Sequence, residues 1–411
     1  MGLPRVWDCQ GHVPEARRIA MKPVEIKKDI YWTGVLHPDL RLFDVLFPTE
    51  HGTTYNSYLV KGDKTAVIDT AKGRFYEQFL SNIKCLVDPE DIDYIVCNHM
   101  EPDHSGSLAR FLREAKNSQV VVSTTGEHFV NNIVNAELNP LKMGDGDTLD
   151  LGRKTLRFIY APFLHWPDTM FTYAVEDKVL FPCDVFGSHF SDERLYDDVV
   201  DDFSGEFEVY YLSIFRPFKE RVLQAVNKIK DLEIDVIAPS HGPILRSDPW
   251  EYVNQYVKWS TPSPTEPKKV LVFYASAHGN TKMMAEEIAK GAAVDGVEVE
   301  AFDVTETDIA DVLNRIEAAP ALIIGSPTIN GDAVKPIWDL LTSLATLKLR
   351  GKVGAAFGSY GWSGEAVGMM EDRLKSLKFK VPEPGVRFTL VPTAEELESC
   401  QEFGRKIAES L

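Results

Sequence analysis

The chain contains 411 residues, more than a single hydrophobic core usually serves, so we expect two domains. Apolar residues make up 44% and charged residues 26%, a balance typical of globular proteins that excludes global disorder. The 62 acidic and 44 basic side chains give a net charge of −18, which disfavours the phosphate backbone of nucleic acid as a partner.

Membrane insertion and a disulfide framework are also disfavoured. No uninterrupted apolar stretch is long enough to cross a bilayer. Residues 1–20 lack the apolar core of a secretion signal and are predicted to form an N-terminal extension. The cysteines are scattered, without a C-x-x-C pair, which indicates a reducing cytoplasm and neither disulfides nor a thiolate metal site. They are Cys9, Cys85, Cys97, Cys183 and Cys400.

The first half of the chain, residues 21–259, has a strand-rich pattern. Two segments of β character, 54–60 and 64–70, flank a Gly-Asp pair that predicts a hairpin turn. A helical segment and an apolar strand at 94–97 follow. Further strands are predicted at 120–123, 156–160, 169–175 and 178–182. Strands with helices between them predict an α/β sandwich, with sheets inside and helices outside.

A proline-rich linker at 260–267 separates this half from residues 268–411, because three prolines in eight residues disfavour a helix or a central strand. Beyond it, buried strands alternate with helical segments such as 282–295. The strands are predicted at 269–274, 297–302, 321–325, 353–358 and 385–390. This alternation predicts a doubly wound parallel sheet with helices on both faces.

The densest functional signal directly follows the strand at 94–97. His99, Glu101, Asp103 and His104 are four potential metal ligands within six residues. A polar loop with solvated side chains is the alternative interpretation. Three more ligand-type residues, each after another apolar strand, make that alternative weaker. They are His165, Asp184 and His241.

The types of ligand limit the metal. Four imidazoles and three carboxylates, without a thiolate, suit iron, manganese or zinc. Seven ligands are too many for one four-coordinate ion. They suit two ions, roughly 3.5–4 Å apart, that share one carboxylate.

The region resembles the metallo-β-lactamase fold, whose usual motif is H-x-H-x-D-H, but Glu101 replaces the second histidine. The pattern H-x-E-x-D-H is that of the flavodiiron proteins (A-type flavoproteins), which join this fold to a flavodoxin domain. The resemblance covers nearly the whole chain after residue 20. It implies an αββα sandwich followed by a flavodoxin-like domain.

The resemblance also implies a role for each ligand-type residue. The iron nearer the flavin is bound by His99, Glu101 and His165. The other iron is bound by Asp103, His104 and His241, and Asp184 bridges the pair. A carboxylate in place of a neutral imidazole adds negative charge and a hard oxygen donor, which favours ferric iron over a zinc-type site.

Three aromatic side chains lie close in sequence to the predicted ligands, and their roles are less clearly indicated. Tyr196 lies in the loop after Asp184 and is a candidate catalytic proton donor at the metal pocket, although packed tyrosines are commoner. His189 and Trp166 lie close to ligands in sequence, and we expect structural roles for both.

A second signal lies after the first strand of the C-terminal half. The loop resembles the flavodoxin phosphate loop T/S-x-T-G-x-T, with His278 in place of the usual threonine. Small and hydroxyl residues let backbone N–H groups surround a phosphate at a helix N-terminus. The lysine of nucleoside-triphosphate loops is absent, which disfavours ATP. The predicted phosphate-binding residues are Ser276, Ala277, His278, Gly279, Asn280 and Thr281.

Two further loops follow the next buried strands of this half. Ligands of open parallel sheets bind beyond the carboxyl ends of strands, which is where these loops lie. The flavodoxin resemblance implies that they hold the flavin ring. The residues are Pro327, Thr328, Ile329, Asn330 and Gly331 in one loop, and Ser359, Tyr360, Gly361, Trp362, Ser363 and Gly364 in the other. FMN is favoured over FAD, because no G-x-G-x-x-G motif is present.

Electron counting indicates the reaction. Two ferrous ions and a reduced flavin hold four electrons, which reduce dioxygen to two waters or support two couplings of nitric oxide to nitrous oxide. The resemblance implies a head-to-tail homodimer, or a dimer of dimers, that brings one subunit's FMN beside the other's irons. The electron donor is expected to be separate: a rubredoxin or a reduced deazaflavin coenzyme.

Two other function classes remain open at this point. A zinc-loaded metallo-β-lactamase fold would be a hydrolase, which metal identity distinguishes. An electron carrier whose first domain is only a docking scaffold would not react rapidly with dioxygen or nitric oxide.

Overall fold

The computed structural model describes residues 21–261 and 268–411 and divides into two compact units, with the boundary after Thr261. The predicted extension 1–20 and residues 262–267 of the predicted linker lie outside the described residues. Ser260, the first residue of the predicted linker, is the last residue of a helix. No helix in the described ranges is both long and apolar enough to span a lipid bilayer.

The first unit is built mainly from short strands. The strands are β1 (Val24–Lys27), β2 (Ile30–Trp32), β3 (Val35–His37), β4 (Leu42–Phe43), β5 (Phe47–Pro48), β6 (Thr53–Tyr55), β7 (Tyr58–Lys61), β8 (Thr65–Ile68), β9 (Tyr94–Cys97), β10 (Gln119–Ser123), β11 (Leu141–Met143), β12 (Thr148–Asp150), β13 (Thr155–Tyr160), β14 (Met170–Ala174), β15 (Val179–Phe181) and β16 (Val236–Ile237). The α-helices are α1 (Tyr76–Lys84), α2 (Pro102–Ser105), α3 (Leu108–Phe111), α4 (Gly126–Val134), α5 (Ser204–Tyr210), α6 (Lys219–Ile229) and α7 (Pro249–Ser260).

Two large sheets form the middle of this unit. The seven-stranded sheet has the order β1-β2-β7-β8-β9-β10-β11, and the five-stranded sheet has the order β12-β13-β14-β15-β16. Val96 and Val121 of the first sheet share an apolar core with Phe158 and Phe181 of the second. Helix residues such as Phe79 pack on the outer face of the first sheet, and α6 and α7 pack with strands of the second. The predicted αββα sandwich is confirmed.

The predicted hairpin differs from the structure in one respect. Strands β7 and β8 pair antiparallel around the Gly-Asp turn, but β7 begins only at Tyr58. Residues Thr53–Tyr55 belong to β6, which pairs with β3. The chain leaves the sheet at Asn56, whose side-chain amide donates to Pro239 O (2.8 Å) and Gly242 O (3.0 Å). Asn56 therefore holds the loop that carries His241.

The second unit has a parallel sheet with helices between its strands. The strands are β17 (Lys268–Tyr274), β18 (Val297–Asp303), β19 (Ala321–Gly325), β20 (Thr328–Ile329), β21 (Asp332–Ala333), β22 (Val353–Tyr360) and β23 (Val386–Thr389). The α-helices are α8 (Asn280–Ala292), α9 (Ile309–Ala318), α10 (Lys335–Ser343), α11 (Glu365–Ser376) and α12 (Ala394–Glu409).

The main sheet of this unit has the order β18-β17-β19-β22-β23, and each adjacent pair is parallel. Alternate residues of β17 enter different cores: Val270 and Val272 on one face, Leu271 and Phe273 on the other. Both faces are therefore buried, as expected for a doubly wound sheet, and the predicted flavodoxin-like fold is confirmed. The short β20–β21 ribbon was not predicted.

Candidate dimetal and flavin sites

All seven predicted metal ligands converge on one pocket of the first unit, and their donor atoms form two adjoining groups. In the first group, Glu101 Oε2 lies 3.2 Å from His99 Nε2 and 3.0 Å from His165 Nε2. Asp184 Oδ2 lies 3.8 Å from each of these two imidazole nitrogens. Four donors thus surround a space the size of a single cation.

The second group lies on the other side of Asp184. Asp184 Oδ1 is 3.1 Å from His104 Nε2 and 3.4 Å from His241 Nε2. Asp103 Oδ2 is 3.1 Å from His241 Nε2, and Asp103 Oδ1 is 3.3 Å from His104 Nε2. One carboxylate oxygen of Asp184 therefore faces each group, which is the arrangement of a bridging ligand.

Local backbone geometry divides the H-x-E-x-D-H motif between the two groups. Glu101 is extended, with φ −60° and ψ 141°, and Pro102 begins the short helix α2. Proline fixes φ at a helical value and is favoured at the first helical position. His99 and Glu101, which precede Pro102, consequently face the first group, and Asp103 and His104 face the second.

Sheet topology brings the remaining ligands to the same pocket. Strands β15 and β16 are parallel neighbours, so their carboxyl ends lie side by side. Asp184 follows β15 and His241 follows β16, which places both at one edge of the second sheet. His99 follows β9 of the facing sheet.

Buried hydrogen bonds orient the imidazoles. Asp168, which is 1% exposed, contacts His99 Nδ1 at 3.2 Å and accepts from Met100 N–H at 2.7 Å. His241 Nδ1 donates to Thr54 O at 2.6 Å. Both contacts use Nδ1 and leave Nε2 directed into the pocket, as in proteins whose outer ligands fix a metal-binding tautomer. Asp168 was not among the predicted site residues.

The electrostatics of the pocket fit bound cations. Burial opposes ionisation of Glu101, but hydrogen bonds with the adjacent imidazoles outweigh burial and lower its pKa. Burial also opposes protonation of His241, yet its hydrogen bonds with Asp103 and Asp184 raise its pKa to about 10. The carboxylates thus favour positive charge in a buried space, and two metal cations would supply it. The donor set fits a dimetal centre of the nitrogen and oxygen type.

Tyr196, the predicted proton donor, lies elsewhere in the structure. Its hydroxyl is 3.4 Å from Glu25 O, and the Arg246 guanidinium lies 3.5 Å from its ring centroid. A phenol that does reach the pocket is that of Tyr210, on α5, whose buried hydroxyl donates to Asp184 Oδ1 at 3.2 Å. Proximity in sequence favoured Tyr196, whereas the fold brings Tyr210 to the pocket.

His189 and Trp166 pack beside the ligands, and a structural role for both stays a prediction. The His189 ring lies 4.2 Å from the Phe43 ring and 4.7 Å from the Tyr210 ring, centroid to centroid. Burial and the nearby His241 lower the pKa of His189 to about 3. The Trp166 ring meets the His99 ring edge-on at 5.1 Å.

The three predicted flavin loops lie at one edge of the second unit's sheet. The first two follow β17 and β19, whereas the third begins within β22, whose last two residues are Ser359 and Tyr360. These three strands are parallel neighbours with adjacent carboxyl ends. A hydrogen bond of 2.9 Å between the buried hydroxyls of Thr281 and Ser359 connects the first loop with the third. In the second loop, Ser326 Oγ accepts from Val334 N–H at 3.0 Å. The edge is therefore preorganised by side chains that face inward.

The first loop suits a phosphate. Gly279 precedes α8 with φ +84° and provides no side-chain cap, and an added Cβ would meet no atom within 4 Å. Because Gly279 has no side chain, it leaves space for an anion beside the first N–H groups of the 13-residue helix α8. Ser276 Oγ accepts from Lys282 N–H at 3.2 Å and shapes the loop.

The other two loops carry large exposed apolar side chains. The Trp362 side chain is 86% exposed and Ile329 is 47% exposed. Asn330 and Gly331 form the turn between β20 and β21, with φ of 54° and 74°. Large exposed apolar side chains beside a phosphate loop are the features that a planar ring system uses.

Comparisons with known proteins agree with both units. Residues 53–242 match the family described as ODP family beta lactamase, and residues 272–404 match flavodoxin. The flavo-diiron protein FprA2 of Clostridium acetobutylicum is 41% identical over 95% of this chain and 100% of its own length. A nitric oxide reductase of Moorella thermoacetica is 37% identical over 94% and 98%. The solved rubredoxin oxygen:oxidoreductase of Desulfovibrio gigas is 29% identical, with TM-score 0.72 over 95% and 98%.

Fold and site thus define a class of proteins in which a metallo-β-lactamase-like domain precedes a flavodoxin-like domain. Within that class, the chain belongs to the flavodiiron proteins. Membership implies FMN and a pair of iron ions as its cofactors.

Proposed function

We propose that this protein is an oxidoreductase that reduces dioxygen to water, nitric oxide to nitrous oxide, or both, at a pair of iron ions supplied with electrons through FMN. The iron pair would be held by His99, Glu101, Asp103, His104, His165, Asp184 and His241. The FMN would be held by residues 276–281, 327–331 and 359–364. When bound, the two groups store the four electrons that these reductions need.

One observation carries the proposal: two adjoining donor groups, made only of imidazole and carboxylate, share Asp184. Such donors suit redox iron, and the shared carboxylate sets the spacing at which two ions act on one small molecule. Tyr210 O–H donates to Asp184 Oδ1 and adjusts the charge of the shared carboxylate. Five of the seven ligands are almost completely buried, which limits the access of water.

The hydrolase alternative is weaker. Two relatives are oxidoreductases by name: one acts on nitric oxide and the other on dioxygen. Glu101 also makes the first group richer in carboxylate than a three-histidine zinc site.

The test is a count of electrons and products. Protein loaded with iron and FMN is fully reduced without oxygen, then titrated with limiting dioxygen or nitric oxide. We expect one dioxygen, or four nitric oxide molecules, to reoxidise each chain, with water or nitrous oxide as product. Stoichiometric hydrogen peroxide would contradict the proposal, because it would indicate two-electron oxidation of the flavin alone.

We further propose a head-to-tail homodimer in which one subunit's FMN serves the other's iron pair. Each unit exposes apolar side chains beside its site, which marks interaction surfaces. In the first unit they are Leu42, Val45 and Leu46, on the β4–β5 turn next to Phe43, whose ring lies 5.4 Å from the His241 ring. In the second unit they are Ile329, Trp362, Leu390 and Val391.

Complementation tests this assembly. Glu101→Gln impairs only the metal site and Gly279→Val impairs only the flavin loop, so each homodimer should be inactive. After subunit exchange in an equal mixture, half of the dimers are mixed, and each of these contains one intact FMN–iron pair out of two. We therefore expect about one quarter of wild-type activity. Absence of any recovery, with exchange verified by mass, would place electron transfer within one chain.

We propose a separate electron donor, a rubredoxin or a reduced deazaflavin coenzyme, and a cytoplasmic location. A name among the relatives, rubredoxin oxygen:oxidoreductase, supports the first donor. The described cysteines are free thiols, which suits a reducing compartment. Stopped-flow reduction of the bound FMN by each donor, without gas, ranks the two.

A further inference from the structure

A series of packed aromatic rings leads away from the metal pocket of the first unit. It begins at Tyr210, whose hydroxyl donates to Asp184 Oδ1 at 3.2 Å. The Tyr210 ring lies 6.0 Å from the Phe215 ring, which lies 5.7 Å from the Tyr256 ring, centroid to centroid. These are the separations of aromatic rings in direct contact.

The series continues from Tyr256 to a tryptophan. The Tyr256 ring centroid is 4.9 Å from that of Tyr211 and 5.9 Å from that of Trp259. The rings of Tyr211 and Trp259 are 5.0 Å apart. The tyrosines are buried, whereas Trp259 is half-buried. We define the aromatic chain as Tyr210, Phe215, Tyr256, Tyr211 and Trp259. Four of its rings are phenols or an indole, which lose an electron far more readily than a phenyl ring does.

The backbone at the start of the aromatic chain has an unusual geometry. One turn of π-helix, Tyr211–Phe215, directly follows α5. Its i→i+5 hydrogen bonds bring residues five apart onto one face, which accounts for the contact between Tyr210 and Phe215. Single π-helical turns are rare and occur frequently at functional sites. The contact next to the pocket therefore depends on a specialised backbone.

Packing does not explain the Tyr256 hydroxyl. Tyr256 is 0% exposed, and its hydroxyl donates to no acceptor among residues 21–261 and 268–411. Burial of such a group costs free energy, and a phenylalanine would fill the same space without that cost. The hydroxyl does add electron density to the ring, which makes the ring easier to oxidise. The other two phenols have partners, since Tyr210 contacts Asp184 and the Tyr211 hydroxyl lies 2.8 Å from Ser260 Oγ.

We propose that the aromatic chain supplies electrons to the metal pocket, one at a time, when dioxygen arrives there before the flavin is reduced. The inference rests on the proposed function in taking dioxygen as a substrate of this pocket. Two ferrous ions hold only two of the four electrons that dioxygen needs. The chain provides the other two and so moves oxidising equivalents from the buried ligands to Trp259.

Electrons and protons balance in this scheme. Tyr210 gives an electron and its phenol proton to the oxygen that is being reduced, and regains an electron from the chain and a proton from water. Trp259 loses that electron and releases its indole proton to solvent. A thiol from solution then reduces Trp259 and ends as a disulfide. In sum, one dioxygen, two ferrous ions, two thiols and two protons give two waters, two ferric ions and one disulfide.

Conduction along the chain is tested without iron, FMN or gas. Full-length protein holds zinc, which has no redox chemistry, and azide radicals from pulse radiolysis oxidise its accessible indoles. An electron that passes from tyrosine to tryptophan replaces the indolyl radical absorption with that of a tyrosyl radical. We expect a transfer phase whose rate is independent of protein concentration. Most of this phase should be lost in Trp259→Phe and kept in Trp250→Phe, which alters a half-buried tryptophan of the same helix α7.

Tyr256→Phe tests the middle of the chain in a well-folded protein. The substitution keeps the ring and removes a buried hydroxyl that donates to no acceptor in the described ranges, so Tm should be unchanged or higher. The transfer phase should nevertheless become slower. An unchanged rate in Tyr256→Phe would show that the hydroxyl has no part in conduction.

The role in gas chemistry is tested on iron-loaded, FMN-free protein that is reduced and exposed to dioxygen repeatedly. Peptide mass spectrometry should find added oxygen on Trp259 and not on Trp250. In Tyr256→Phe, we expect the oxidation of Trp259 to decrease and that of Tyr210 to increase, because the oxidising equivalents stay in the pocket.

Two results would overturn the proposal: an equal transfer phase in wild type and Trp259→Phe, or no more oxidation of Trp259 than of Trp250. The radiolysis result is separate from gas reduction, because it uses neither iron nor dioxygen. Wild-type protein that conducts but does not consume dioxygen would contradict the proposed function and the protective role, and leave conduction along the chain established.

Discussion

The two units build their sites in opposite ways. In the first unit, buried side chains from several strand ends point inward, and hydrogen bonds such as the one that Asp168 accepts from His99 Nδ1 fix their orientation. In the second unit, loops at one sheet edge present backbone and exposed side chains, and their inward hydroxyls hold the loops together. The first site depends on the identity of its side chains, and the second on backbone conformation.

This difference predicts how each unit responds to substitution. Replacing one donor in the first unit changes the chemistry of a buried pocket, so the effect should be large. A substitution in the loops of the second unit should have a large effect mainly at positions whose positive φ requires glycine.

The largest effect is expected for Glu101→His. The change removes a negative charge and a hard donor, which should favour zinc over iron and lower gas reduction at least about a hundredfold. Metal content and turnover are measured together, with exposed Glu398→His as the matched control. Full iron content and full turnover in Glu101→His would show that the carboxylate is dispensable.

Gly279→Ala should weaken FMN binding without affecting metal content. At φ +84° an L side chain costs about 1–2 kcal/mol, which corresponds to roughly 5–30-fold in Kd. Fluorescence titration of the apoprotein with FMN measures the change. Gly368→Ala is the control, because its added Cβ also meets open space but its φ is ordinary. Equal affinities in the two variants would remove the role given to the loop backbone.

Tyr210→Phe and Tyr196→Phe form a matched pair within the first unit. Loss of the Tyr210 hydroxyl removes a hydrogen bond to Asp184 worth about 1.5–3 kcal/mol when an ionised group is involved. Gas reduction should fall about tenfold in Tyr210→Phe and stay unchanged in Tyr196→Phe. The reverse ranking would restore Tyr196 as the proton donor.

The smallest effect concerns His37, whose ring contacts Phe75 and whose Nδ1 is 3.4 Å from the Tyr55 hydroxyl. Burial, with help from Arg74 and Lys72, lowers its pKa to about 4. This folded-state pKa is below the unfolded value, so the unfolded chain binds a proton at His37 more readily than the folded protein does. The contribution of neutral His37 to the free energy of unfolding is therefore complete above pH 6.5 and is lost as pH falls towards 4.

His37→Gln should therefore lose less stability than wild type between pH 6.5 and 4, by about 1 kcal/mol after solvent screening, or roughly 2–4 °C in Tm. Thermal unfolding across this pH range measures the difference, and exposed His128→Gln is the control. Parallel pH profiles for wild type and His37→Gln would contradict the expectation.

Sequence reasoning succeeded where a local pattern fixes a local geometry. Apolar strands followed by ligand-type residues predicted which side chains would meet, since parallel strand ends share an edge. The alternation of strands and helices predicted the doubly wound sheet. Both depend on periodicity and on residues adjacent in sequence.

It failed where long-range packing decides. Tyr210 reaches Asp184 from α5, 26 residues away, and no spacing rule distinguishes it from Tyr196. Asn56 interrupts a β-patterned segment because its amide bonds the 239–242 loop. Asp168 had a usable signal, lying three residues after His165, but its contact is with His99, from the other sheet.

The central claim is that electrons pass from the flavin to the metal pocket, where the gas is reduced. Its most direct test is rapid anaerobic mixing of fully reduced wild type and Glu101→Gln with dioxygen or nitric oxide, following flavin absorbance. We predict fast reoxidation without free peroxide in wild type, and slow reoxidation that releases peroxide from dioxygen in the variant. Equal rates in both proteins would mean that the gas reacts at the flavin and not at the metals.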